Sequence, residues 1–280
     1  MLRIVTDGAT DMPPEWEKEL EIPIIPVNII FGDRTYLQYV DLDNEGFYRL
    51  VEESGKIPKT SQPSPHQFVE FYKSIAQPGD EIISIHVTSR LSGTYASAVA
   101  AAEEVRGLFT VHPVDSRVGS AGVGLMCREA RRMERAGHSA VEITGYLEEV
   151  RERVRLYLTL DTLDYARMSG RVGTLQAALA SALNVKPIVE LRDGRIDMTE
   201  RVRTRKGALQ RLIGKARQEV GSAPIYLAVV QARDLEAGKV LREEAVPQLN
   251  CRDVIMTELS ISVAANLGPG TVGLVLYPAD

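Results

Sequence analysis

Cysteine is scarce in this chain of 280 residues, which contains only Cys127 and Cys251. Two distant cysteines do not make a disulfide framework, so they favour a reducing compartment. Long apolar runs are also missing, and no stretch approaches the roughly 20 residues that cross a bilayer. An acid, Asp7, stands where a signal peptide would need its apolar run. We therefore expect a cytoplasmic protein without an integral membrane segment.

An excess of positive charge is absent, because 33 lysines and arginines face 38 aspartates and glutamates, for a formal net charge of −5. A nucleic-acid-binding domain carries a basic face, so we expect no nucleic acid among the partners. The glycine-rich phosphate loops of nucleotide-binding proteins are missing too. The four histidines and two cysteines are scattered without ligand spacing. The sequence therefore predicts neither a cofactor nor a metal site.

The first half of the chain alternates short apolar runs with amphipathic ones. This alternation predicts a parallel sheet covered on both faces by helices, a Rossmann-like α/β domain over residues 1–155. A segment near residues 22–41 combines proline, glycine and short apolar runs, which indicates a small β excursion. The predicted strands cover residues 2–5, 81–87 and 109–114, and the predicted helices cover residues 63–76, 95–105, 122–135 and 140–154.

The second half mixes hairpins with helices, which predicts an α+β domain over residues 156–280. Asp193 and Gly194 supply a type I′ turn for a hairpin over residues 185–198. A glycine-rich entry and a helix are expected over residues 168–183. Further strands are expected at residues 156–160, 225–230, 254–258 and 272–277, with helices at residues 205–220 and 235–244. The predicted fold class is thus α/β with two domains.

The most concentrated polar segment follows the predicted strand 81–87. Hydroxyl groups of Ser89 and Ser92 stand there beside the N-terminus of a predicted helix, whose free N–H groups and dipole suit a carboxylate or phosphate without a metal. Gly93 would let a ligand approach closely. Helix capping explains one of the two serines equally well, so a binding site and a cap both remain open.

A second hydroxyl cluster lies at residues 59–65. Ser64 is placed to cap the helix that follows, with Pro65 at its first turn, and a plain helix start is the favoured interpretation of this segment. Capping does not account for Thr60 and Ser61, which precede it. These hydroxyls could face the crevice at the strand ends of a parallel sheet.

A nucleophilic serine is less well supported, because it needs a base within reach and no Gly-x-Ser-x-Gly elbow exists. His86 lies in the middle of a predicted strand, where a hydrogen-bonded core histidine is the usual outcome. The aspartates Asp7, Asp11 and Asp115 could gather at the strand ends, but turn and cap roles are favoured for each. We therefore predict no catalytic residue.

Two glycine turns carry a polar side chain that could serve a ligand. Arg171 lies in a Gly-Arg-Val-Gly turn and could reach an anionic group, although a surface arginine is an equally good interpretation. Asn266 precedes a Gly-Pro-Gly turn and could either cap a helix or offer its amide to a cavity.

Taken together, these segments resemble the DegV family of bacterial fatty-acid-binding proteins along the whole chain. The resemblance implies an acyl tunnel at the junction of the two domains and a carboxylate held by hydroxyls that correspond to Thr60 and Ser92. It also implies a carrier without catalysis of its own, which in some bacteria presents its fatty acid to a separate ATP-dependent kinase. The matching motifs are IVTDGATD (4–11), TSQPSP (60–65), LSGTYAS (91–97), VDSR (114–117), GRVG (170–173), LNVKP (183–187) and GPG (268–270).

One departure from the family concerns Asn266, where many members have a histidine near the carboxylate. An amide donates a hydrogen bond but carries no positive charge. We therefore expect a long-chain fatty acid to bind with a weaker hold on its anionic group, at Thr60, Ser61, Ser89, Ser92, Gly93, Asn266 and Arg171. The alternative is a serine-dependent acyl hydrolase or transferase with Ser92 as the nucleophile.

Overall fold

Three β-sheets organise the protein in a computed structural model that describes residues 1–171 and 185–279. Their strands are β1 (Leu2–Asp7), β2 (Ile24–Ile25), β3 (Asn28–Phe31), β4 (Arg34–Leu37), β5 (Lys59–Ser61), β6 (Glu81–His86), β7 (Thr110–Asp115), β8 (Arg155–Thr159), β9 (Lys186–Arg192), β10 (Arg195–Val202), β11 (Ile225–Gln231), β12 (Cys251–Glu258) and β13 (Val272–Pro278).

The first sheet has the order β2-β1-β6-β7 and is parallel throughout. The second has six strands in the order β10-β9-β8-β13-β11-β12 and is antiparallel except for the pair β11-β12. The third is a small antiparallel sheet, β4-β3-β5. The predicted α/β class with a parallel N-terminal sheet is confirmed. The segment near residues 22–41 is divided, since β2 joins the parallel sheet while β3 and β4 pair with β5 in the small one.

Helices cover the sheets, and their starts follow from local sequence. Ser64 caps the helix that follows, with Pro65 in the first turn, as the sequence indicates, and Gln67 completes a capping box with it. The helices of the described residues are α1 (Pro14–Leu20), α2 (Asn44–Ser54), α3 (Pro65–Ile75), α4 (Thr94–Glu104), α5 (Ala121–Arg135), α6 (Ala140–Arg151), α7 (Asp164–Ser169), α8 (Arg205–Val220), α9 (Leu235–Ala245) and α10 (Ile261–Leu267). None of these helices has the length and apolar character needed to cross a bilayer.

Two local predictions meet different outcomes. The β9–β10 hairpin is confirmed, and its turn residues Asp193 and Gly194 both have positive φ, at 50° and 76°. Neither candidate serine occupies the N-cap of α4, which is Gly93, but the Ser92 hydroxyl accepts from the backbone N–H of Thr94, the first residue of the helix, at 3.3 Å. The helix expected over residues 168–183 lies mostly outside the described residues, although Met168 itself falls within α7.

The two larger sheets share one apolar core. Ile4 and Ile83 of the parallel sheet belong to the same buried cluster as Leu156 and Leu158 of the six-stranded sheet. Burial of apolar surface contributes roughly 25 cal/mol per Å², so this shared cluster holds the two sheets together.

An arginine also links the two halves. The guanidinium of Arg128, in α5, lies between two aromatic rings, 4.8 Å from the centroid of Trp16 and 4.2 Å from that of Tyr226 on β11. Tyr226 stacks in turn on Tyr277 of β13, at 5.8 Å between ring centroids. Planar guanidinium groups suit such stacking, so α5 is tied to the six-stranded sheet by more than apolar packing.

Candidate ligand-binding cavity

A cavity lies where the carboxyl ends of the parallel strands meet the six-stranded sheet. Ala9 and Val87 follow β1 and β6, and Leu156, Leu158 and Leu191 come from β8 and β9. Its empty space is about 840 Å³, including the solvent at its mouth. The largely apolar lining is typical of small-molecule sites.

One end of the cavity carries hydroxyl and amide groups from three elements. Thr60 and Ser61 come from β5, Ser92 and Thr94 from the start of α4, and Asn266 from α10. The Asn266 amide nitrogen donates to the Ser262 carbonyl at 2.7 Å and to the Thr60 hydroxyl at 3.4 Å. Because Thr60 accepts from Asn266, its own hydrogen remains available for another acceptor.

The Ser92 hydroxyl has a comparable arrangement. It accepts from the Thr94 backbone N–H at 3.3 Å and lies 2.8 Å from the Thr94 hydroxyl. When Thr94 donates across that contact, Ser92 has its hydrogen free for a group in the cavity. Thr60 and Ser92, both in the cavity lining, can thus each have a hydroxyl hydrogen available for an acceptor.

Gly93 serves the packing around this end rather than lining it. A Cβ atom at Gly93 would lie 2.7 Å from the amide nitrogen of Gln62 and 3.0 Å from its carbonyl carbon. The absence of a side chain thus makes room for Gln62, a lining residue that directly follows β5. Gly93 in this way allows the two hydroxyl clusters to stand side by side.

Ser89 lies outside the cavity lining. Its exposed side chain donates to Asp115 at 2.6 Å, and its backbone N–H donates to the other oxygen of the same carboxylate at 3.1 Å. Asp115 also accepts from the Arg117 backbone N–H at 3.1 Å. These bonds connect the segment after β6 to the carboxyl end of its parallel neighbour β7 and are typical of a structural turn.

Arg171 is the charged side chain among the described lining residues. It is half-buried just after α7, and its guanidinium donates to the Ser169 carbonyl at 2.9 Å. A permanent positive charge at the cavity favours an anionic ligand. The remainder of the predicted Gly-Arg-Val-Gly turn, Val172 and Gly173, lies outside the described residues, as do Leu183 and Asn184.

Sequence reasoning missed three serines that line the cavity, Ser120, Ser169 and Ser262. Ser120 donates to the buried carboxylate of Asp11, which also accepts from the Ser260 backbone N–H at 2.7 Å. Burial raises the pKa of Asp11 to about 6, against the lowering effect of these hydrogen bonds. Ser262 precedes Asn266 by four residues and lies one turn away on the same face of α10, a relation that is apparent only once this short helix is known.

A buried polar chain runs behind the parallel sheet. Asp7 accepts from the His86 ring at 3.0 Å, the other ring nitrogen of His86 lies 2.6 Å from the Ser84 hydroxyl, and Ser84 lies 2.9 Å from the Tyr72 hydroxyl. The connectivity is that of an Asp-His-Ser triad, but all four side chains are fully buried. His86 is thus the hydrogen-bonded core histidine that the sequence predicts.

The aspartates at the strand ends have the expected turn and structural roles. Asp7 accepts from the backbone N–H groups of Ala9 at 2.8 Å and Val87 at 3.0 Å. Across residues 1–171 and 185–279, no three His, Cys, Asp or Glu side chains gather as metal ligands would.

Comparisons with known proteins match the chain from end to end. A family model described as an uncharacterised protein of the DegV family matches residues 1–279. A DegV domain-containing protein of Deinococcus radiodurans is 35% identical over 281 residues, which cover 99% of this chain and 98% of that protein.

Solved structures agree with the sequence match. A DegV family protein of Thermus thermophilus, described as fatty-acid binding, superposes with a TM-score of 0.90 at 30% identity and 99% coverage of both chains. A protein of Eubacterium ventriosum, described as binding stearic acid, has a TM-score of 0.89 at 25% identity, covering 99% of this chain and 98% of that one. By sequence and by fold, this chain belongs to the DegV family.

Proposed function

We propose that the protein binds one long-chain fatty acid, with the carboxylate at the Thr60–Ser92 end of the cavity and the acyl chain among its apolar side chains. The observation that carries the proposal is the pair of hydroxyl groups, each free to donate, at one end of a largely apolar cavity. Relatives of the same fold that are described as binding fatty acids support it.

The acyl chain would supply most of the binding free energy. Each methylene group buried from water contributes roughly 0.8 kcal/mol, so a long tail outweighs a few hydrogen bonds. Leu158, Leu191 and Ile196 are among the side chains that would enclose it. The polar end would then decide the orientation of the ligand more than its affinity.

A carboxylate fits the polar end because it accepts hydrogen bonds and donates none. Thr60 and Ser92 would each donate one, and Ser61 and Arg171 line the same cavity. Asn266 would act indirectly, since its amide hydrogens are directed to Ser262 and Thr60. An uncharged amide holds Thr60 in place without adding the positive charge that a protonated histidine would bring.

A carrier role, without catalysis, suits this arrangement better than an acyl hydrolase or transferase. A nucleophilic Ser92 would need a base beside it, and its neighbour is the Thr94 hydroxyl. The described lining contains no histidine, and His86 lies buried on Asp7 and Ser84. Hydrolysis of an activated acyl ester that disappears in Ser92→Ala would overturn this conclusion.

The carrier would act in the cytoplasm and could present its fatty acid to a separate kinase. The basic segment 201–206 is a candidate contact for that partner, because Arg203 and Lys206 are exposed. Arg205 is less available, since it donates to Asp234 at 2.6 Å. Reversal of charge in Arg203→Glu should weaken binding of an acidic partner, and an unchanged complex would exclude this segment as the contact.

Native mass spectrometry of the purified protein tests the proposed function. We expect one fatty acid per chain, identified after denaturation, or uptake of one added palmitate or oleate. A protein that is purified empty and takes up neither acid would refute fatty-acid binding.

A further inference from the structure

Two serines of the cavity lining, Ser120 and Ser262, have their hydroxyl hydrogens directed into the protein. Ser120 and Ser262 are each only 4% exposed, and both donate to groups behind the cavity wall. What either hydroxyl presents to the cavity is therefore a lone pair, which accepts but does not donate.

The direction of the Ser120 bond follows from its partner. Asp11 is 2% exposed and bonded to the Ser120 hydroxyl. An ionised carboxylate can only accept, so Ser120 must donate to it. The backbone N–H of Ser260 donates to the other carboxylate oxygen at 2.7 Å, which fixes the orientation of Asp11.

Ser262 is held by a backbone carbonyl in the loop after β1, the loop that also contains Asp11. Its hydroxyl donates to the Gly8 carbonyl at 2.8 Å, and the same oxygen accepts from the Gln38 amide at 2.7 Å. A carbonyl has no hydrogen to give, so this bond also runs in one direction. The Ser260 hydroxyl lies 3.3 Å from Ser262, which still leaves one lone pair of Ser262 for the cavity.

The cavity therefore has two polar regions of opposite character. Thr60 and Ser92 present donors, whereas Ser120, backed by the Asp11 carboxylate, and Ser262, backed by the Gly8 carbonyl, present acceptors. An anionic group would be repelled from the second region, and a hydroxyl would be accepted there. Ser262 stands one helical turn, about 5.4 Å along the axis, from Asn266, so the acceptors lie close to the carboxylate end.

We propose that this cavity takes a fatty acid with a hydroxyl group near its carboxyl end, most simply a β-hydroxy fatty acid, whose hydroxyl donates to Ser262 or Ser120. This inference rests on the proposed fatty-acid binding. It adds that the hydroxyl is matched by an acceptor in the cavity wall, whereas a hydroxyl buried without a partner would weaken binding.

The test compares palmitate with β-hydroxypalmitate by calorimetric titration of the wild-type protein and Ser262→Ala. The wild type should bind the hydroxy acid at least as tightly as palmitate. Ser262→Ala should weaken the hydroxy acid by about fivefold or more and leave palmitate nearly unchanged. The variant should fold, because the Gly8 carbonyl keeps its hydrogen bond from Gln38.

A second variant reverses the direction of the hydrogen bond between Ser120 and residue 11, so that Ser120 accepts instead of donating. In Asp11→Asn, the Ser260 N–H would hold the amide oxygen, so the amide nitrogen would donate to Ser120 and release the Ser120 hydrogen toward the cavity. Binding of the hydroxy acid should weaken relative to palmitate.

The outcomes separate this inference from the function on which it rests. Wild-type protein that binds palmitate but binds β-hydroxypalmitate about tenfold more weakly would overturn the inference alone. An equal loss of both ligands in Ser262→Ala would overturn it as well. Failure to bind either acid would refute the proposed function, and the inference with it.

Discussion

The Asn266 amide donates to the Thr60 hydroxyl at 3.4 Å, joining positions 206 residues apart. This contact brings α10 and the short strand β5 together at the polar end of the cavity. It also determines what Thr60 can do, since a hydroxyl that accepts from one side is free to donate on the other. In the proposed complex, the hold on the ligand carboxylate would thus depend on Asn266, although its own amide hydrogens point to Ser262 and Thr60.

Asn266→His should make carboxylate binding dependent on pH. An imidazole gains a positive charge below its ordinary pKa, about 6.5, so the variant should bind palmitate several-fold more tightly near pH 5.5 than near pH 8, relative to the wild type. Fluorescence titration of both proteins at the two pH values measures the ratio. Parallel pH profiles would show that position 266 does not face the carboxylate.

Ser92→Ala should weaken fatty-acid binding by about fivefold or more, because one of two donors to the carboxylate is lost. Ser89→Ala is the matched comparison, since Ser89 precedes the same helix but donates to Asp115 outside the cavity lining. We expect its effect on the dissociation constant to be much smaller. An equal loss in both variants would show that Ser89 also contacts the ligand, as the sequence alone predicts.

Asp7→Ala should lower the free energy of unfolding by about 3 kcal/mol or more, because it leaves three buried donors without an acceptor. These donors are the His86 ring and the backbone N–H groups of Ala9 and Val87. Urea denaturation measures the change, with the exposed turn residue Asp33→Ala as the control. A loss below about 1 kcal/mol would contradict a structural role for the buried chain.

Asp11→Asn should change the pH dependence of stability. Burial raises the Asp11 pKa from 3.8 to about 6, with Glu258 adding to the rise and the bonds from Ser120 and Ser260 opposing it. The folded protein therefore keeps a proton that the unfolded chain releases between these values, and the wild-type free energy of unfolding falls as the pH rises through this range. The loss, on the order of 3 kcal/mol, should be absent in Asp11→Asn.

Urea denaturation of both proteins near pH 4.5 and near pH 7.5 checks this prediction. The free energy of unfolding of Asp11→Asn, relative to that of the wild type, should be greater at the higher pH. A stability difference that is the same at both pH values would contradict the raised pKa.

Arg128→Lys should cost about 1–2 kcal/mol of stability, because an ammonium group cannot stack between two rings as a planar guanidinium does. The rings belong to Trp16 and Tyr226, from the two halves of the chain. Thermal unfolding measures the loss, with Arg132→Lys on the exposed side of the same helix as the control. Equal melting temperatures for the two variants would show that the stacking adds nothing.

The main sheets could be predicted from local patterns. The apolar runs that become β1, β6 and β7 are short and separated by amphipathic segments, and Asp193-Gly194 specifies its turn through two positive φ angles. The helices α1, α2 and α10 were missed, and α7 overlaps a predicted helix only at Met168 and Ser169. The seven residues of α10 are too few to show a helical period. The start of α2, by contrast, carries a local signal, because Asp43 accepts from the Gly46 N–H and caps the helix.

The candidate site was predictable only in part. Thr60, Ser92 and Asn266 each stand in a polar turn, which made them candidates one at a time. The place of Thr60 in the cavity lining depends on β5, which pairs with β3 about 30 residues earlier in the chain. Such long-range pairing leaves no pattern in the local sequence. Ser120 could not be predicted, because its place in the cavity wall depends on a bond to Asp11, 109 residues away.

The apolar cavity wall takes side chains from beside both large sheets, such as Val87 on one side and Leu158 on the other. A lipid between them would fill apolar space that core side chains fill elsewhere in the protein. A ligand that binds only the folded state adds about 2.7 kcal/mol to stability at about a hundredfold excess over Kd. The resistance of this protein to proteolysis would then rise with the concentration of fatty acid, and its abundance in the cell would rise with it.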